Sequence, residues 1–432
     1  VNPSSGNLHP TEGYLVCGPV QGLTDKPTVF HYSPETHGLE IRTHFSMETW
    51  RKMRLSEDTL FVGLSSINWR EAWKYGQRAY RYCQHDLGHA LAALNISCAG
   101  LGWRTYLMDH LTHGDLETIL GLPFKDDSEI EVPDCLVAVL PSGKQQNINL
   151  NEPDYMEGFS GLDWKGTPNI LSRSHMDWSG IDEVSKAASK IDRSINNAFK
   201  MEDHSNLIED DTFPLRKAIH QRRSAVAMDG KTRIARDTFY QFLIKTLPNA
   251  CPLPFQTFPW EPQVHLGLFV HRVDDLPRGV YTLVRNKNHL ESLKATFSKH
   301  FKWEKPEACP EELDLFLMEE YDCRRMAVGV SCGQEIAGAG CFSLGMISAF
   351  EEPLKNYGPW FYPRLYWECG AIGQVLYLQA EVSGIRSTGI GCFLDDPVHH
   401  IFGIKDSSYQ SLYHFTIGGP VDDNRLTTMP PY

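Results

Sequence analysis

The chain has 432 residues, 41% hydrophobic and 22% charged, with a formal net charge of −13 at pH 7. That length is enough for two domains of ordinary size, and the acidic balance argues against a nucleic-acid partner, which needs clustered Lys and Arg. No uncharged apolar run approaches the roughly 18 residues that a membrane-crossing helix requires. The eleven cysteines are odd in number and scattered singly with no CxxC pair, so they read as reduced thiols in a cytoplasmic protein. No signal peptide is expected, and the chain opens inside a motif without an initiator Met, which predicts an upstream segment before Val1.

In chain order, Pro3-Ser4-Ser5-Gly6-Asn7-Leu8-His9-Pro10 is a polar turn whose hydroxyls, amide and backbone N–H groups are not consumed by a ladder. It runs into predicted strands at 12–18 and 28–32, a turn at Ser33–Gly38, and an apolar strand at 59–64 after a helical patch near 46–55. The aromatic- and Arg-rich stretch Trp69–Tyr82 follows. A long, small-residue helix is expected from about Asp86 to Cys98, stopped by Gly100-Leu101-Gly102, then a helix near 113–120 and a strand at 135–140.

The same order recurs. Strands at 265–270 and 280–283 repeat the first pair, and Cys341–Met346 repeats the third strand. Asn356-Tyr357-Gly358 echoes Lys74-Tyr75-Gly76, a helix is expected from about Gly373 to Val382, and a strand at 414–419 closes the unit. The reading is a tandem duplication of one α+β unit: 1–144, a linker at 145–212 that wraps the surface, and 213–432. The linker carries one plausible helix, Ile181 to about Ala198. Internally repeated units commonly pack as homodimer subunits do, so an intrachain pseudo-dimer is expected.

Each half has what the other lacks. The second carries Arg222-Arg223-Ser224, two guanidiniums and a hydroxyl suited to bidentate phosphate binding, with Arg425 beyond the last strand as a third cation. It also has the glycine-rich segment Ser387–Asp396, read as a strand-to-helix loop that approaches a ligand through its backbone. The first half keeps Ser4-Ser5-Gly6-Asn7 but shows Thr105–Asp109 in place of the glycine loop, whereas the second half reads Pro254–Trp260 where the polar turn should be. This complementarity predicts one good site built from both halves.

Taken together, Pro3-Ser4-Ser5-x-Asn7, Arg222-Arg223-Ser224, the Gly389–Asp396 loop and Lys74-Tyr75-Gly76…Tyr80-Arg81-Tyr82 resemble the nitroreductase superfamily of FMN flavoproteins, closest to its SagB-type dehydrogenase branch with the azoline oxidases. Gly166–Ser172 also looks like tandem members of that branch. The resemblance implies one FMN per chain, its phosphate on Arg222, Arg223, Ser224 and Arg425. It further implies that Pro3, Ser4, Ser5 and Asn7 contact ring and ribityl, with Gly389, Gly391 and Cys392 facing the flavin N5 edge. Lys74 and Tyr75 match the Lys-Tyr pair that the azoline oxidases place near substrate, and either would supply the base if burial beside the flavin lowered its pKa. The implied activity is FMN-dependent dehydrogenation or oxidation of a small or peptidic substrate. The alternatives are an NAD(P)H-dependent nitro- or quinone reductase and a non-catalytic flavin-binding homologue. A further homodimer is compatible with this reading.

A zinc hydrolase is a rival of another class. His85 and His89 lie four apart on a probable helix, with His110 and His113 beyond, but the HExxH glutamate is missing, so no metal is expected.

Overall fold

The computed structural model describes residues 2–56, 58–122, 129–141, 155–193, 214–423, 425 and 427. The chain divides into two compact units, one within 2–200 together with 257–259, the other within 201–256 and 260–431. Each is built on a six-stranded sheet whose pairings are all antiparallel.

The first sheet comprises β1 (Thr11–Cys17), β2 (Thr28–Ser33), β3 (Gly38–His44), β4 (Leu60–Ile67), β5 (Arg104–Leu107) and β6 (Glu131–Leu140), in the order β3-β2-β1-β4-β6-β5. The second comprises β7 (Val264–Val270), β8 (Gly279–Leu283), β9 (Leu315–Glu320), β10 (Phe342–Ala349), β11 (Arg386–Ile390) and β12 (Tyr409–Gly418). Its order is β11-β12-β10-β7-β8-β9. Read from its other edge, this is the first order, strand for strand. The expected duplication of an α+β unit is therefore real at the level of topology, despite the low sequence identity between the halves. The strands of the second sheet are wholly buried along β7, β8 and β10, and the core cluster around Phe269, Phe297, Ile347 and Phe402 fills one side.

Two helices run longer than the sequence suggested. The first spans Ala79–Gly100 and not 86–98, and the second spans Tyr362–Val382 and not 373–382. In both, the preceding short helix (Trp69–Tyr75, Glu351–Tyr357) ends on a glycine that only its freedom at positive φ allows, Gly76 at 59° and Gly358 at 102°. A 3-10 turn then leads straight into the long helix. The aromatic residues that read as a motif are therefore its first turns. Pro363 does not delay the second helix, since a first-turn proline forfeits no helical hydrogen bond.

Residues 155–193, from the stretch read as linker, pack as a strap on the first unit. Trp69 Nε1 donates to Ser172 Oγ at 2.8 Å, and buried Glu129 accepts from the backbone of Leu171 at 2.9 Å and Ser172 at 2.8 Å. Arg193 forks onto Asp115. The strap's helix is Ser179–Ala187, shorter than read, because the chain leaves it to bond His113: the His113 N–H donates to the Lys190 carbonyl at 2.9 Å, and the Lys190 N–H donates to His113 Nδ1 at 2.7 Å. The rest of that expected helix, 194–198, lies outside the described residues, as do 145–154 and 199–212 of the linker.

Candidate functional site

In the second unit the helix Leu215–Gln221 ends at Arg222. The next residues are stitched to β11, with the Ala225 N–H donating to the Ser387 carbonyl at 3.0 Å. The Arg222 guanidinium lies over the Tyr377 ring, 4.9 Å from its centroid, and burial lowers its pKa. Its Nη1 is buried without a partner among the described residues. A buried, unsatisfied guanidinium nitrogen is costly unless an anion meets it.

Tyr377, on the long helix Tyr362–Val382, ties the corner together. Its hydroxyl is 2.9 Å from Ser224 Oγ and accepts from the Gly389 N–H at 3.0 Å. Three of the sequence-marked residues, Arg222, Ser224 and Gly389, thus meet on one side chain that sequence reasoning missed. Gly389 is glycine for a local reason: a Cβ there would fall 2.8 Å from Tyr413 Cζ and 3.1 Å from Phe415.

The other marked residues of this unit have partners of their own. Arg223 is exposed. Its N–H donates to Glu381 Oε1 at 3.1 Å, and its guanidinium caps the carbonyls of His220 at 3.1 Å and Arg222 at 2.7 Å. Arg425 is exposed and forks onto Asp423, at 2.9 and 2.7 Å, so its charge is already matched locally. Cys392 is exposed in the loop between β11 and the helix Asp395–Phe402, which also holds Gly391.

In the first unit the opening turn and the Lys-Tyr pair come together. Ser5–Asn7 form a 3-10 turn after buried Pro3. Gly6 faces the pair so closely that a Cβ there would lie 2.5 Å from Tyr75 Oη and 2.9 Å from Lys74 Nζ. Lys74 Nζ sits 5.1 Å from the Tyr75 ring centroid, and Tyr75 packs edge-on against Tyr82. The Trp178 ring of the strap lies against Gly76, directly after the pair. The base role expected of Lys74 or Tyr75 depends on burial. Lys74, however, is exposed and Tyr75 half-buried, because the last turn of the short helix points them outward. The turn's donors are also partly spent: Ser4 Oγ accepts from the His9 N–H at 2.8 Å, and the Ser5 N–H donates to Asp86 at 3.1 Å. Asn7 Oδ1 is 3.0 Å from His9 Nε2.

Beneath this turn lie two carboxyls that the sequence did not single out. Glu71 is fully buried and Asp86 is 2% exposed. Both oxygens of Glu71 and Oδ2 of Asp86 have no partner among the described residues. Burial pushes the Glu71 carboxyl up to about 9, with nearby Asp86 adding and Lys74 opposing. Burial pushes Asp86 up to about 7 against the hydrogen bonds from Ser4 and Ser5. Acidic residues on otherwise apolar helix faces were the available signal. His85 and His89 are buried in the same helix, and among the described residues no group of three or more His, Cys, Asp or Glu could hold a metal ion.

A protein of Anabaena variabilis designated a nitroreductase has a similar solved structure, with a TM-score of 0.70 over 97% of this chain and 82% of that one, at 21% identity. The fold is nitroreductase-like. Shorter nitroreductase-type structures also match, including one from Ralstonia eutropha at 14% identity and a TM-score of 0.34, over 49% of this chain and 85% of that one. A microcin synthetase complex of Escherichia coli with a truncated pro-microcin bound matches at 14% identity and a TM-score of 0.34, over 59% and 85%. No family model and no curated protein matches the sequence. No helix among the described residues is long and apolar enough to cross a membrane.

Proposed function

We propose that this chain is an FMN-dependent oxidoreductase, a dehydrogenase or oxidase acting on a small or peptidic substrate. The observation that carries the proposal is the buried, unpartnered Arg222 Nη1 in a corner that Tyr377 joins to Ser224 and Gly389. That donor set fits a phosphate: a guanidinium short of an acceptor, a second guanidinium on Arg223 beside it, and a hydroxyl. Arg425 would join by exchanging Asp423 for the phosphate. Gly389, Gly391 and Cys392 would present backbone to the ring. When bound, FMN supplies hydride acceptance and donation.

The chain's own task is to position the substrate and handle its proton. Lys74 Nζ and Tyr75 Oη are the groups proposed for this, with Lys74 Nζ 5.1 Å from the Tyr75 ring centroid. Trp178, over the turn that follows, would exclude water from one flank.

Purified protein should carry a flavin absorbing near the usual flavin maximum. Arg222→Ala, which removes the unsatisfied cation, should lower released flavin per chain at least about tenfold, the scale of a lost charge-assisted hydrogen bond. Flavin retained at the wild-type level would refute this phosphate site. Lys74→Ala and Tyr75→Phe should each slow substrate-driven flavin reduction by about a hundredfold or more, the usual scale for a general acid–base group, while dithionite reduction and flavin content stay unchanged. If both keep full turnover with NAD(P)H and a nitro or quinone acceptor, the plainer reductase is the function.

A further inference from the structure

The eleven cysteines are scattered singly along the sequence. The fold pairs two of them. Cys332 and Cys392, sixty positions apart, have their sulfurs at 2.6 Å. They are also the only exposed cysteines of the eleven, the others being buried or half-buried. Their backbones are already held next to each other. Leu394 N–H donates to the Val330 carbonyl at 2.8 Å, and Gln334 Nε2 donates to the Cys392 carbonyl at 3.1 Å. Phe393, between these anchors, stacks on His414 at 4.4 Å and 6°.

We propose that Cys332 and Cys392 are a modification site, a surface dithiol that a low-molecular-weight disulfide such as oxidised glutathione converts to an intramolecular disulfide. A formed bond needs the sulfurs at about 2.05 Å, so they close by about half an ångström within an anchored frame. One thiolate attacks oxidised glutathione, forming a mixed disulfide and releasing one glutathione. The second cysteine's thiolate then attacks the protein sulfur of that mixed disulfide and releases the other glutathione. Two protein thiols are oxidised, one disulfide is reduced, and the two protons leave on the two glutathiones. The remaining cysteines are poor competitors. Burial pushes the thiols of Cys17 and Cys98 up to about 11 and those of Cys323 and Cys341 up to about 12, and it raises Cys83 and Cys369 as well. The bond would lock the loop that joins β11 to the helix Asp395–Phe402 onto the turn after the helix Arg324–Val330. The site goes beyond the flavin reading and does not depend on it.

The test is the full-length protein incubated with oxidised glutathione, then alkylated, weighed intact and peptide-mapped. The expected product has lost two hydrogen atoms, carries no glutathione, and yields one cross-linked pair of peptides containing Cys332 and Cys392. Cys332→Ser and Cys392→Ser should each end as a single glutathione adduct on the surviving cysteine, because no resolving thiol remains. A stable glutathione adduct on either cysteine of the wild-type protein, a cross-link to another cysteine, or an unmodified chain would overturn the proposal. Flavin content enters none of these readouts, so a failed flavin assignment leaves this result standing or falling by itself.

Discussion

Asp86 shows how one residue can be local sequence noise and a structural fact at once. It sits in the interior of the helix Ala79–Gly100, 2% exposed, with the Ser5 N–H on one oxygen and nothing described on the other. Burial lifts its carboxyl from 3.8 to about 7. Between those values the folded protein keeps a proton that the unfolded chain has lost, so stability falls as pH rises through that window and levels off above it. Asp86→Asn keeps an acceptor for Ser5 and removes the charge. It should raise stability by about 2–4 kcal/mol at about pH 8 and leave it little changed at about pH 4, following from a shift of about three pKa units. Urea midpoints across that pH range measure it, and parallel curves for wild type and variant would contradict the assignment. Burial pushes Glu71 up to about 9, so its carboxyl stays protonated through neutrality.

At the scale of elements, the second unit is pinned by an ion pair inside its core. Arg285, just after β8, and Glu368, in the helix Tyr362–Val382, face each other at 0% and 3% side-chain exposure. Both Glu368 oxygens and two of the three Arg285 nitrogens are engaged, while Arg285 Nη2 has no partner among the described residues. Glu368 accepts the Gln263 N–H at 2.9 Å and the Val264 N–H at 3.3 Å, while Arg285 reaches the carbonyls of Thr246 and Val264, both at 2.8 Å. The pair therefore fastens the start of β7, the end of β8 and the long helix to one another. Removing one member strands the other charge in the core. Arg285→Met alone should cost about 3–5 kcal/mol, whereas Arg285→Met with Glu368→Met should cost less than that, since no unpaired charge remains. Denaturant unfolding of the two variants decides the matter, and a double variant worse than the single would contradict it.

For the whole molecule, equal strand orders and unequal motifs make a prediction about stoichiometry. Both sheets share one topology, yet only the second unit has Arg222-Arg223-Ser224 and the glycine-rich segment after β11. The corresponding strand of the first unit, β5, continues into Met108-Asp109. A phosphate dianion needs clustered cations to be held, so released flavin should approach one per chain at saturation. Two per chain, measured by flavin absorbance against protein concentration, would show that the first unit also holds a flavin.

The sequence by itself determined the duplicated order of strands and helices, because short apolar runs and glycine stops are local signals that survive divergence. It also marked Arg222, Ser224 and Gly389, since guanidiniums, hydroxyls and clustered glycines are recognisable without coordinates, although Gly389 lies in β11 and not in the loop after it. Helix starts escaped it, because Trp69–Tyr82 reads equally as motif or as helix until Gly76 takes a positive φ. Tyr377, Glu71, Asp86 and the Cys332–Cys392 pair escaped it too. Each draws its meaning from a partner across the fold: Tyr377 from Ser224, Asp86 from Ser5, Cys392 from Cys332. Only tertiary packing brings such residues within hydrogen-bonding or bonding distance, and only burial turns an ordinary carboxyl into one that titrates near neutrality.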